Sequence, residues 1–195
     1  VDLRYNGGGL ISVAETLGDL LGGNRRPNEV MTQVVHRPEK ASENETRYFS
    51  PQSQSVSPRR IAFIGTDASA SASELVINAM IPYLHADVAL IGGNTYGKPV
   101  GQVAVDRAAC DDRLRVIAFK TVNAAGQGDY YNGLATVMEK SCAASDDVDH
   151  ALGDPQEGSI RVALDFLASR PCTPIAGASA AIRAQAVTSD DAGSG

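Results

Sequence analysis

The 195-residue chain has no basic run longer than two residues, and its formal net charge is −6. A nucleic-acid surface leaves a footprint of clustered lysine and arginine, so that class of partner is excluded. No apolar run approaches the roughly 18 to 20 residues of a membrane-spanning helix. No signal peptide is present. That absence carries no weight, because Val1-Asp2-Leu3-Arg4 reads as the end of a buried strand. Upstream chain is therefore expected to be missing. There are only three cysteines, Cys110, Cys142 and Cys172, and none forms a C-x-x-C pair. A zinc or redox motif is not expected, and the odd count leaves at least one thiol unpaired within the chain. His36 and His85 have no carboxylate or cysteine at informative spacing. Asp146, Asp147 and His150 lack a partner cluster and read as a solvated turn. No metal and no cofactor are expected.

What is present is ordinary globular composition, 43% hydrophobic and 21% charged, enough for one domain with a real core. The chain is organised around residues 66 to 102. Ser71 lies in SASASE, Ser69 to Glu74, just before an apolar helical pattern at Leu75, Ala79 and Met80. A serine there stands at a helix N-terminus, where free N–H groups favour a developing anion. Lys98, in TYGK, follows 27 residues on (98 − 71), and Gln102 four residues after that (102 − 98). A serine hydroxyl needs a base, and a lysine can serve only if its surroundings let it lose its charge. Ser-Lys pairs are a variant of the triad logic. Taken singly, SASASE also reads as an N-cap and TYGK as a turn with an exposed lysine. VDLRYNGGGL, Val1 to Leu10, reads either as a tight turn or as a glycine loop whose N–H groups face an oxyanion.

The order DLRYNGGG, SASASE, TYGK and Gln102 resembles the C-terminal processing (tail-specific) serine peptidases over about residues 1 to 167. The resemblance implies Ser71 as nucleophile, Lys98 as base and Gln102 as the group that holds and orients the lysine. It implies an oxyanion hole from the N–H groups of Ala72 and Gly8, with Gly7 and Gly9 as neighbours. It implies an α/β fold of the crotonase and Clp-protease superfamily, with a parallel-rich sheet packed by helices. The missing upstream part would hold an export signal, usually a PDZ domain, and the start of the core. Polypeptide substrates, a periplasmic or cell-envelope location and a capacity to form homo-oligomers go with it. This sequence departs from the family in three ways. Its serine-to-lysine gap is about two residues longer, which suggests a longer turn around Leu84 to Asp87. No acidic triad member is assigned near Pro82. Gly7 stands where many members have proline. In an exported protein a disulfide is expected, with Cys110 and Cys142 as the first choice because both follow predicted core strands.

In chain order, Leu10, Val13, Leu17, Leu20 and Leu21 predict a helix ended by Gly22-Gly23-Asn24. Val30 to Val35 predicts a strand. Residues 36 to 58 predict a flap over the site or an edge hairpin, anchored by Tyr48 and Phe49. Ile61 to Gly65 and Val88 to Ile91 predict buried parallel strands around the helix from about Ser73 to Leu84. Val103 to Val105 and Leu114 to Phe119 predict further strands. Tyr130-Tyr131 read as surface packing or as a cleft wall. Asp154-Pro155-Gln156-Glu157 predicts a helix start capped by Asp154, running to about Ser169. Residues 1–172 are read as the catalytic core and 173–195 as a flexible Ala/Ser/Gly-rich tail with a weak helical tendency around Ala178 to Ala186. Two other readings stand beside peptidase action. One is a binding module without proteolysis, as in the repeats of the interphotoreceptor retinoid-binding protein, or an inactive peptidase fragment. The other is an acyl-CoA enzyme of crotonase type. Neither needs the serine-lysine pair.

Overall fold

The computed structural model describes residues 1–176; the predicted helical tendency around residues 178 to 186 lies outside them. Helix α1 (Ile11–Leu21) ends at Gly22, as the glycine pair predicts. Its buried face is Ala14, Gly18 and Asp19, while Leu10 and Val13 are 71% and 64% exposed. The small residues turn inward because Met31 packs against Gly18, where an added Cβ would lie 2.8 Å from its sulfur.

Strand β1 (Val30–His36) pairs antiparallel with β2 (Glu45–Tyr48), so the polar stretch 36 to 58 forms an edge hairpin. Phe49, not Tyr48, is its anchor. Phe49 is 1% exposed and meets the Tyr83 ring edge-on at 5.6 Å. Strand β3 (Ile61–Gly65) leads into helix α2 (Ala72–Leu84), and a 3₁₀ turn at His85–Asp87 then feeds strand β4 (Val88–Gly92). β3 and β4 pair in parallel, and all ten of their residues are buried. Continuous burial is what an apolar run covered on both faces requires, each large side chain contributing about 1.5–3 kcal/mol.

Strand β5 (Val100–Arg107) and strand β6 (Asp112–Val122) form an antiparallel hairpin. It joins β1 through β6, giving one sheet in the order β2-β1-β6-β5. Beyond its base the hairpin leaves the body. Leu114 and Ile117 are 62% and 61% exposed, so the core strand expected there is an extended arm. The second sheet has the order β3-β4-β7, with β7 spanning Ser141–Ala143. Residues 1–3 line the free edge of β3, where the Leu3 N–H donates to Ile64 O and the Ile64 N–H to Val1 O.

Helix α3 (Gly158–Leu167) packs on the second sheet. Its cap is Glu157, whose carboxylate accepts the N–H groups of Ser159 and Ile160, rather than Asp154. Asp154 caps the turn before it, accepting the Gln156 N–H at 2.8 Å. The disulfide joins Cys142 to Cys172, with Cα atoms 5.4 Å apart, and corrects the expected Cys110–Cys142 pair. Cys142 sits on β7 and Cys172 follows α3, which rests on that sheet. Cys110 is free and exposed at the tip of the β5–β6 arm. Past the disulfide, the Ala143 N–H donates to Thr173 O, and Ile175 is buried in the main core.

Candidate active site

Ser71 stands where the loop after β3 enters α2. Its backbone is at φ 56°, ψ −116°, a region that costs a non-glycine residue on the order of 1–3 kcal/mol. The surrounding loop holds it there. Ser69 is fully buried, and its hydroxyl donates to Leu3 O at 2.7 Å and accepts the Thr66 N–H at 3.0 Å. The Ser73 hydroxyl donates to Asn6 O at 2.9 Å, and the Ala70 N–H reaches that same oxygen. Two serines of the motif are thus structural clamps, and Ser71 alone lines the main cleft.

Glu74 joins the serine loop to the lysine loop. It is 0% exposed. Its Oε2 accepts the N–H of Ser71 at 2.9 Å and that of Lys98 at 2.8 Å, and its Oε1 accepts the Gly97 N–H at 2.7 Å. Three charge-assisted bonds are what a buried carboxylate needs. The Tyr96 N–H adds a bond to Ser69 O. Gly97, at φ 87°, has no room for a side chain, since a Cβ would meet Tyr131 O at 2.4 Å. Sequence reasoning gave Glu74 no role, although the spacing Ser71-x-x-Glu74 is a capping-box signal that could have found it.

The cleft holds about 520 Å³. Gly7, Gly9, Leu10 and Ile11 line it, with Ser71, Ala72 and Leu75. Lys98, Gln102, Arg115 and Phe119 line it as well. Lys98 is half-buried and makes no ion pair among the described residues. The structure brings Ser71, Ala72, Lys98 and Gln102 to one cavity, yet the Gln102 amide makes no hydrogen bond to Lys98 among the described residues. The lysine loop is held instead by its backbone on Glu74. Tyr130 is 1% exposed and belongs to the core, where burial pushes its hydroxyl pKa up. Tyr131 is exposed, and neither tyrosine lines the cleft.

The Ala72 N–H is the first of α2 and donates to no acceptor among the described residues. Gly8, at φ 98°, presses on this helix start; a Cβ there would lie 2.7 Å from Ser71 Cβ and 2.8 Å from Ala72 N. Its N–H donates to Asn6 Oδ1 at 3.0 Å, and Gly8 lines a neighbouring apolar cavity rather than the main cleft. Below the glycine loop, the Arg4 guanidinium binds Asp2 at 2.8 Å and Glu157 at 2.8 Å. Burial raises the Asp2 pKa, but the hydrogen bonds and charge of Arg4 outweigh it, so the carboxyl lies below its ordinary range. The partnership with Glu157, 153 residues away, has no local signal in the sequence. Asp147 accepts from His150 and from the Gly158 N–H, and Asp146 from Tyr5.

Solved structures share this fold. A protein assigned to the S41 proteases in Bacteroides fragilis superposes with a TM-score of 0.73 at 22% identity, over 86% of this chain and 44% of that one. A photosystem II D1 C-terminal processing protease gives 0.54 at 20% identity, over 73% and 33%. A lipoprotein from Streptococcus agalactiae gives 0.55 at 16% identity, over 87% and 54%. The chain thus spans about half or less of the length of each. No curated protein sequence matches it. The sequence profile of peptidase family S41 does match, over residues 1–133. With more than half the chain inside that profile and an α/β architecture shared with its members, this chain belongs to peptidase family S41.

Proposed function

We propose that the chain carries the catalytic centre of a serine endopeptidase with a Ser71–Lys98 dyad. The observation that supports it most is Glu74, whose one carboxylate fixes the backbones of both residues while their side chains line one cleft. Ser71 Oγ attacks the scissile carbonyl as neutral Lys98 takes its proton. The C–N bond then breaks, and the lysine ammonium protonates the leaving amine. Water attacks the acyl ester in the second half, with Lys98 again taking and returning the proton. The Ala72 N–H is one oxyanion donor. Gly8 is the second, exchanging Asn6 Oδ1 for the substrate oxygen. Losing such a donor raises the barrier by about 2.7–4 kcal/mol. Gln102 orients the amine without adding a charge that would hold its proton.

The substrates are polypeptides cleaved near the C-termini of exported proteins, in the periplasm or cell envelope. The Cys142–Cys172 disulfide supports an oxidising compartment. Cleavage of an unstructured peptide tests the dyad: Ser71→Ala and Lys98→Ala should each abolish turnover, and Ser69→Ala and Ser73→Ala should not. Activity retained in Ser71→Ala but lost in Ser73→Ala moves the nucleophile. Because the base must be neutral, kcat/KM should rise with pH, and Gln102→Glu should shift that rise to higher pH by raising the lysine's proton affinity. A rise near the histidine value of about 6.5, unmoved by Gln102→Glu, overturns the lysine mechanism.

A further inference from the structure

Arg115 stands on β6 and lines the cleft; after the hydrogen bonds of Arg113, its charge helps to hold the Asp106 carboxyl below its ordinary range, but the catalytic scheme does not use it. It lies opposite Ala104, a side chain too short to engage it. The nearest acid of the arm, Asp106, is held by Arg113 through contacts of 2.6 and 2.9 Å. Arg115 makes no ion pair and no side-chain hydrogen bond among the described residues. Its neighbours along the cleft are apolar or neutral: Phe119, Val100, Leu75 and Gln102. Among the described residues the cleft lining contains two basic side chains, Lys98 and Arg115, and no carboxylate, in a chain of net charge −6. Glu74 does not offset them at the surface, since it is fully buried and faced by three backbone N–H groups.

We infer that Arg115 is a substrate-binding residue that selects a carboxylate on the polypeptide in the cleft. The inference rests on the peptidase reading of that cleft. Position follows from the register. Phe119 pairs with Gly101 beside the dyad, and Arg115 lies four strand residues beyond it (119 − 115). At about 3.3 Å per residue that is on the order of 13 Å, so the carboxylate belongs a few residues from the scissile bond of an extended peptide. A planar guanidinium matches a carboxylate through paired N–H donors, and the apolar walls carry the flanking side chains. The carboxylate is an acidic side chain or the free end of the substrate.

The test measures binding to the Ser71→Ala protein, which does not need turnover. Fluorescent peptides carry one glutamate, or glutamine in its place, at each position up to five residues either side of a neutral cleavage sequence. Each is made with a free and an amidated C-terminus. At low salt the best glutamate or free-acid peptide should bind about 1.5- to fivefold tighter than its neutral counterpart, as expected for a solvent-exposed pair. The difference should vanish with Arg115→Gln and reverse, favouring the neutral peptide, with Arg115→Glu. Which peptide gains decides between side chain and terminus. No binding, equal binding, or a preference that survives Arg115→Gln overturns the inference. Cleavage of the same peptides by the protein with Ser71 intact is scored separately: preference without cleavage sinks the peptidase reading and leaves Arg115 standing.

Discussion

Ser71 is held in a backbone conformation that a glycine would adopt freely, and no other serine of its motif is. Strain at the proposed nucleophile is tolerated because the surrounding bonds over-determine it. Ser71→Gly should therefore raise the unfolding free energy, by about 1 kcal/mol after the added flexibility of the unfolded chain is counted, while removing the hydroxyl. A thermal melt checks this, and a clear loss of stability would show that the side chain is needed for folding. The flanking serines should differ from each other. Ser69→Ala leaves Leu3 O its bond from the Asn6 N–H but orphans the Thr66 N–H, so it should cost about 1–3 kcal/mol. Ser73→Ala leaves Asn6 O with its bond from Ala70, so about 0.5–1.5 kcal/mol is expected. Denaturant unfolding of the two variants gives the order directly.

Among the elements, α2 depends on Glu74 in a way its helical periodicity does not show. Glu74→Ala would orphan three buried N–H groups and should cost on the order of 3–5 kcal/mol. Glu74→Gln keeps one acceptor oxygen but turns an NH₂ toward the donors, so it should lie between, with turnover reduced in both. Circular dichroism melts beside the peptide assay check that stability and activity fall together. The sequence made β3, α2 and β4 legible because Ile61 to Gly65 and Val88 to Ile91 are continuous apolar runs of strand length. The motifs also singled out Ser71, Lys98 and Gln102, and the fold brings these three to the lining of one cleft. The β5–β6 arm was not legible as an arm. Val103, Val105, Leu114 and Val116 alternate as a half-buried strand would, yet each is exposed. Nothing local distinguishes a face that is covered from one that is not. The same limit misled the cysteine pairing, since strand order, not spacing, brings Cys172 to Cys142.

For the whole molecule, the start of the chain is tied to its far end through Arg4, between Asp2 and Glu157. The folded Asp2 pKa is lowered, so its contribution is fully present above the unfolded value of about 3.9 and fades as pH falls through the folded one. Asp2→Asn should flatten the loss of stability below about pH 4, as read by melting temperature against pH. A thiol titration of the unfolded, unreduced protein should find one reactive cysteine, Cys110, and three after reduction. The Glu74 carboxylate also decouples chain length from site assembly. Ser71 and Lys98 are tied at their backbones to one side chain, and the segment between them turns back at His85–Asp87, away from the tie. Residues inserted at that turn would lengthen the loop without separating the pair, so this is a place where a tag or reporter can be grafted with the backbone tie between Ser71 and Lys98 left intact.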